Sequence, residues 1–451
     1  MNICPCIAII LCLLLFPSAA YSEIGTNTEV KATVEYNETQ PAPKDVPPLS
    51  VVNALNETLM MSPRAAAIRA QFAIARANYA AATIVPNPII FMDRGLVAEQ
   101  VMRIGPILTC EPPWKLIFRL LATKRLVAQT KIDLLTTLWQ LRANTRQAYM
   151  EVVVAQETLK TLEQLYDISA KLLEVTSKRF QAGDVPELDM LKARLANTQT
   201  LVDLGVGRVR VIRARQVLNV MMGRPIHTPV NIPGLPDYTG SIRSFKLSSE
   251  LSEILPSFTH LPLPLRDYIA IALDNRLELK SLDQQIKLNK INLKGAYGNS
   301  IPNPSLAFGK STAGNPAVGP KLTAVFFTLN SESPVSNFNQ GNIFLYKATG
   351  RQLQYQVGSQ KNQIISQVSS AYQNLLAARE KLRVYQEHIL ADSYEVARLA
   401  RRSYEVGQSN ITSTLQAQQN NVQIRSQYLD AVLNYTQAFT ALEQACGKPL
   451  Q

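Results

Sequence analysis

Apolar positions along this chain fall on helical spacings for most of its length. Ser50 to Thr83 is an Ala-rich helical pattern that ends where Pro86 and Pro88 forbid continuation. Two extended stretches follow, Ile89–Asp93 and Val101–Cys110, closed by Pro112-Pro113. Helical periodicity then runs from Trp114 to Gln181, about 100 Å at about 1.5 Å per residue. Within it Leu159, Leu162, Tyr166, Ser169, Leu173, Thr176 and Phe180 alternate spacings of three and four, which is a heptad seam. A second helix, Glu187 to Met222, carries Leu188, Leu191, Leu195, Thr198, Val202, Gly205, Val209 and Ile212 on the same rule. Between them lies Ala182-Gly183-Asp184-Val185-Pro186. Gly183 suits a left-handed C′ position, Asp184 a cap and Pro186 a first helical turn, so the helices return antiparallel.

The second half of the chain repeats the first. At a spacing of 223 residues Ala148-Tyr149 matches Ala371-Tyr372, Ala155 matches Ala378, Leu159 matches Leu382 and Arg179 matches Arg402. One residue is then inserted, and at 224 Gly183 matches Gly407, Leu191 matches Leu415, Asn197 matches Asn421 and Gly223-x-Pro225 matches Gly447-x-Pro449. Pro86-Asn87-Pro88 has its counterpart in Pro302-Asn303-Pro304. A repeat dictates architecture. Each half reads helix, Pro-Asn-Pro, extended segments, long helix, tight turn, helix. The second seam is expected through Leu382, Tyr385, Ile389, Asp392, Val396 and Leu399, with Gly407-Gln408-Ser409-Asn410 as its turn.

This pattern divides the chain into a signal peptide at 1–22 and a flexible leader at 23–49. The first repeat is 50–226 (strands about 88–110, long helices about 114–222) and the linker or equatorial region is 227–264. The second repeat is 265–451 (strands about 303–329, long helices about 343–446). The signal rests on an apolar core, Ile7 to Phe16, and on Ala20-x-Ser22 before Glu23, although no Lys or Arg precedes the core. Cys4, Cys6 and Cys12 leave with it. Cys110 and Cys446 remain, too far apart in sequence to make a disulfide framework or a metal site, and no lipid anchor is expected at Cys12. No later stretch approaches eighteen consecutive apolar residues, so a membrane crossing would require strands.

Composition adds limits. The formal net charge of +12 is spread along the helices with no basic cluster interleaved with aromatics, which argues against nucleic acid. His227, His260 and His388 lack metal-ligand neighbours at helical spacing. Met60-Met61 and Met221-Met222 read as packing residues. Phosphate-loop, dinucleotide and nucleophile-elbow motifs are missing, so neither an enzyme nor a cofactor is expected. Helices this long must pack along their length, and four strands per chain leave raw edges that oligomerisation into one barrel would remove.

The residues carry a family resemblance. The paired Ala-Tyr openings, the Phe180-x-x-Gly183 and Tyr404-x-x-Gly407 tips, the Gly-x-Pro endings, the Pro-Asn-Pro strand entrances and Pro334-x-x-x-x-x-Gln340-Gly341-x-Ile343 resemble TolC-like outer-membrane efflux proteins over about residues 50 to 450. Glu111-Pro112-Pro113-Trp114-Lys115 is similar to their cation-efflux (cobalt–zinc–cadmium) branch. The resemblance implies a mainly α chain with a small β part. Duplicated antiparallel coiled-coil hairpins and four transmembrane strands per chain would form, in a homotrimer, a twelve-stranded barrel among outer-membrane lipid above a periplasmic α-helical tunnel. It implies a passive conduit in a tripartite efflux system for heavy-metal cations or drugs. The partners would be a periplasmic adaptor (membrane fusion) protein and an inner-membrane pump such as an RND transporter. A type I secretion exit duct and a non-channel periplasmic coiled-coil adaptor or structural protein are the alternatives. The adaptor-docking tips would be Gly183, Asp184, Val185, Pro186, Gly407, Gln408 and Ser409. Asn410, Thr412, Ser413, Gln416, Gln419 and Asn420 are candidates for lumen or gate lining, and a solvated outer face is the other reading of these amides. Members of the family often place acidic residues just past the second tip, and Asn410 to Gln416 has none.

Overall fold

The computed structural model describes residues 47–94, 102–233, 262–314, 320, 322–331 and 337–450. The expected signal peptide, nearly all of the leader, most of the linker, Pro334 and His260 lie outside them.

The chain opens with two helices where the sequence pattern suggested one: α1 (Val51–Met61) and α2 (Pro63–Ala81). Pro63 disfavours the helical conformation at Ser62, which turns to φ −65°, ψ 139°. Ser62 then serves the next helix, accepting from the Ala65 N–H at 3.1 Å. Strands β1 (Ile89–Arg94) and β2 (Met102–Thr109) lead to α3 (Pro113–Gln181), 69 residues without a break, and α4 (Glu187–Met222). In the second half α5 (Leu265–Asn275) and α6 (Leu277–Gly298) precede β3 (Ser305–Ala313) and β4 (Leu322–Asn330). The last long helix starts as α7 (Gln340–Val384) and continues as α8 (Leu390–Glu405), and α9 (Ile411–Cys446) returns from the tip.

A π-helical turn, Tyr385–Ile389, separates α7 from α8. A π turn accommodates one extra residue in an α-helix, and the duplication locates that residue here. Before it, Leu159 and Leu382 stand 223 apart. After it, the Ser169 hydroxyl lies 3.0 Å from the Asn197 side-chain oxygen, and Ser393 meets Asn421 in the same way at 3.3 Å. Both partners of that contact are displaced by 224. The Arg179–Arg402 match at 223 is therefore out of register: the insertion sits near residue 387, not at the tip. Every helical position beyond it is rephased. The expected second seam holds at Leu382 and, half-buried against the main core, at Tyr385, and then fails, with Val396 and Leu399 exposed while Ala397 and Tyr404 are buried.

The α4 seam also differs from expectation. The buried stripe is Ala193, Thr200, Leu204, Gly207, Val211, Ala214 and Leu218, whereas Leu188, Leu191, Leu195, Val202 and Val209 face outward. Small residues let α4 approach α3 closely; a Cβ on Gly207 would come within 2.8 Å of the Leu162 side chain. Along α3, Ser169 and Thr176 are buried as expected, but Phe180 is exposed. Leu165 and Leu172, one position off the expected seam, are buried as well. The two sides of α3 serve different neighbours, α4 on one and α9 on the other.

The main core joins the middle of α3 (Tyr149 to Ala155) to α7 and to the C-terminal half of α9, with Val230 and Ile232 packed in. Tyr149 donates to the Leu49 carbonyl at 2.8 Å. Arg146 is buried against Glu443 at 2.5 Å, and burial pulls its guanidinium below the usual range while the Glu443 carboxylate opposes that shift. Removing either partner would strand a buried charge.

Three levels share one side-by-side order. The sheet runs β1-β2-β3-β4, all antiparallel. At its foot the helices run α2-α3-α6-α7, and further down α4-α3-α9-α8. A single chain is therefore a segment of wall with an open edge on each side.

Candidate functional site

The tips are built by glycine. Gly183 and Gly407 adopt φ +81° and +80° after α3 and α8, the left-handed C′ geometry that side-chain-bearing residues rarely take. At the first tip the Asp184 N–H donates to Arg179 O at 2.9 Å and the Gly183 N–H to Phe180 O at 3.0 Å. At the second the Gln408 N–H donates to Ser403 O at 2.8 Å and the Gly407 N–H to Tyr404 O at 3.0 Å. Pro186, expected within the first helical turn, holds the cap position of α4 itself, and that cap has no side-chain hydrogen bond. Asp184 therefore does not cap. Glu187 and Asp189 occupy the first turn, where the positive end of the helix favours them.

The candidate lining residues separate by role. The Asn410 carboxamide oxygen accepts from the Ser413 N–H at 2.9 Å and caps α9. Thr412 accepts from Lys192 at 3.1 Å, tying α9 to α4. Gln416, Gln419 and Asn420 are exposed, whereas the intervening Gln418 is buried and donates to the Ala397 carbonyl at 3.0 Å.

One tip contact was not legible in the sequence. Arg179, in the last turn of α3, donates to the Tyr404 carbonyl at 3.1 Å and lies 5.1 Å above the Tyr404 ring. Thr176 and the Tyr404 hydroxyl are 2.8 Å apart. Leu172, Tyr404 and Ile411 form a small apolar cluster of their own, apart from the main core. These groups bind the two hairpin ends of one chain to each other.

At the opposite end the sheet has two unlike faces. Ile90, Met92, Ile104, Leu108, Leu306, Phe308, Val325, Phe327 and Leu329 share one face by register, with Arg94, Lys310, Thr312 and Thr323 on the same face towards the strand ends remote from the helices, and Val325 is 83% exposed. Asp93, Arg103, Thr109, Ser305, Ser311, Thr328 and Asn330 share the other, with Ile89, Phe91, Ile107, Leu322 and Phe326 among them. On that polar face Phe91 pairs with Gly105 and Gly309 with Phe326. The two rings meet edge to face, centroids 5.6 Å apart, across the glycines. A Cβ on either glycine would overlap the facing backbone. The described helices include none long and apolar enough to cross a membrane. Among the described residues no three His, Cys, Asp or Glu side chains gather into a metal-holding group.

An outer membrane efflux protein family model matches residues 269–448. The cobalt-zinc-cadmium resistance protein CzcC of Cupriavidus metallidurans is 21% identical over 312 residues, 68% of this chain and 68% of that protein. Among solved structures, CusC superposes with a TM-score of 0.67 at 16% identity, covering 91% of this chain and 97% of that one. The Campylobacter jejuni CmeC outer membrane channel gives 0.66 at 13% identity, covering 88% and 85%. The open-state MtrE outer membrane channel of Neisseria gonorrhoeae gives 0.62 at 13% identity, covering 91% and 97%.

Proposed function

We infer, from a chain that matches the outer membrane efflux protein family model over residues 269–448 and keeps the fold of the solved channels through both halves, that it is the outer-membrane channel of a tripartite efflux system. Its strands would stand in the membrane and its helices form a tunnel in the periplasm. The observation that carries the reading is the pair of open edges repeated at every level. β1 and β4 present unpaired strand edges, which a bilayer does not tolerate. Below them α4 exposes Leu188, Leu191, Leu195, Val202, Val206 and Val209, and α8 exposes Tyr394, Val396 and Leu399. An unlike edge on each side suits head-to-tail association, which becomes a ring when the rotation closes, with α4 of one copy against α8 of the next. Three copies make a twelve-stranded barrel, an even number within the known range. The apolar sheet face then meets lipid and the polar face lines the exit.

The tips at Gly183 and Gly407 are the surfaces offered to a periplasmic adaptor, and an inner-membrane pump supplies the energy. The exposed amides Gln416, Gln419 and Asn420 suit an aqueous passage without strong charge. Likeness to a cobalt-zinc-cadmium resistance protein favours metal cations as cargo. The conduit performs no chemistry on them. Single-channel recording of the purified protein in planar bilayers, with its mass in detergent measured alongside, tests the reading. Discrete conductance from a trimer supports it, and a water-soluble monomer that never enters the bilayer sinks it.

A further inference from the structure

We propose that the helix ends just beneath the sheet form a collar that holds the phosphate headgroups of anionic phospholipids in the inner leaflet of the membrane. The proposal rests on the channel reading and adds a lipid class and a site.

The first observation is aromatic. The four strands stand on the ends of α2, α3, α6 and α7, so the four junctions lie side by side. Each junction that leads into a strand or helix exposes bulky apolar side chains. Trp114 opens α3, Tyr297 closes α6, and Phe338 and Phe344 flank the start of α7, all at least 40% exposed. Trp114 is fixed there by its indole N–H, which donates to the Gly298 carbonyl at 3.3 Å. Of these side chains, Trp114 and Tyr297 are amphipathic rings, the kind that a bilayer interface selects.

The second observation is charge. From Lys287 to Lys347 the sequence has six lysines and a single acidic residue, Glu332. From Pro113 to Ile132, the start of α3, it has five Lys and Arg and no acidic residue. The helix ends nearest the sheet thus carry an excess of basic residues, although Glu111 beside them pairs with Arg119 at 2.8 Å. Lys347 lies 5.9 Å from the centre of the Tyr297 ring, and Lys294 stands one turn before Tyr297 on the same face of α6. Both lysines are exposed. They sit within about 10 Å of the strand feet at about 1.5 Å per residue. A headgroup layer some 5–8 Å deep, reached by flexible lysine stems, spans that interval. In this arrangement the lysines stand on the side of the apolar sheet face, so that acyl chains and headgroup of one lipid would meet continuous surface. A neutral zwitterionic headgroup would leave the positive field uncompensated.

The test is lipid retention by the whole protein purified in mild detergent. Native mass spectrometry would score bound phosphatidylglycerol against phosphatidylethanolamine after incubation with an equimolar mixture. The expected result is enrichment of phosphatidylglycerol, falling about fivefold for each lysine removed in Lys294→Gln and Lys347→Gln. Conductance in a planar bilayer should remain unchanged. Equal retention by parent and double variant overturns the collar. So does a double variant that keeps its lipids but changes the anion-to-cation permeability ratio, because the lysines would then face the lumen. A protein that conducts but shows no lipid preference removes this proposal alone; one that enters no bilayer removes the channel reading with it.

Discussion

Arg179 spans the two hairpin tips of one chain, its guanidinium donating to the Tyr404 carbonyl at 3.1 Å and stacking over the ring of the same residue. That carbonyl belongs to the last turn of α8, where the negative end of the helix strengthens the contact. In the proposed channel the contact holds the second tip against the first. Arg179→Ala should weaken the closed arrangement by on the order of 1 kcal/mol, the contact being half-exposed. Single-channel recordings should then show the open level about fivefold more often. Tyr404→Phe, which keeps the ring and loses the Thr176 contact, should give a smaller change in the same direction. An Arg179→Ala channel that gates like the parent would show that the tips are held by something else.

Gly105 and Gly309 are expected to be irreplaceable in the sheet. A methyl group at Gly105 would overlap the Phe308 carbonyl oxygen, and one at Gly309 the Ile104 carbonyl oxygen. Gly105→Ala or Gly309→Ala should prevent a heat-stable trimer from appearing on gels. Phe91→Ala removes only an edge-to-face ring pair, about 0.5–1.5 kcal/mol beyond burial, and should leave the trimer detectable. A normal yield of Gly309→Ala trimer would contradict the close approach of β2 and β3.

Deleting one residue from the π turn, for instance Glu387, should restore a continuous α-helix and bring the two halves to a uniform 223-residue spacing as far as the tip. Because the turn absorbs the extra residue, Ala397 and Tyr404 should stay on the seam against α9. Amides of residues 390–409 should exchange with deuterium about as slowly as in the parent. Deleting Ser393 instead, beyond the turn, should rotate the rest of α8 by about 100° and speed exchange there. Fast exchange across residues 390–409 in the Glu387 deletion would show that the turn does not carry the extra residue.

The buried thiol of Cys446 gives a pH dependence with a definite sign. Burial pushes its pKa from 9.0 up to about 11, against the pull of the Arg276 guanidinium. Burial likewise pushes the Tyr435 hydroxyl up to about 12. Folded-state values above the unfolded ones mean full stability below about pH 9 and a loss as pH climbs towards 11. The thiol's share is on the order of 2 kcal/mol. Cys446→Ala should flatten that part of a melting-temperature profile between pH 9 and 11. At pH 8 the exposed Cys110 should alkylate at once and Cys446 only after unfolding.

The lengths of the long helices, the tip glycines and the four strands were legible because each is written locally, in periodicity, glycine and proline. The choice of seam was not. Helix α4 carries two stripes, and the bulkier one, through Leu188, Leu191 and Leu195, is the natural reading as core. Within one chain the buried stripe is instead the slimmer one through Ala193, Gly207 and Ala214, since small residues allow the close approach to α3. Periodicity counts apolar positions but does not say whether the same chain or a neighbour covers them. The break at Ser62 was written in Pro63 and was overlooked among the alanines around it. The Arg179–Tyr404 contact could not be read at all, because it depends on the phase of α8, which the π turn sets from outside the tip.

That turn also bears on symmetry. A duplicated chain closed three times would, if its halves were identical, give a ring of six equivalent staves with one common curvature. In the proposed trimer the single extra residue falls in every second stave and is one of the differences between the halves that lower the order of the axis from six to three. Any departure from a round cross-section at that level would then have three corners, which six equal staves do not provide.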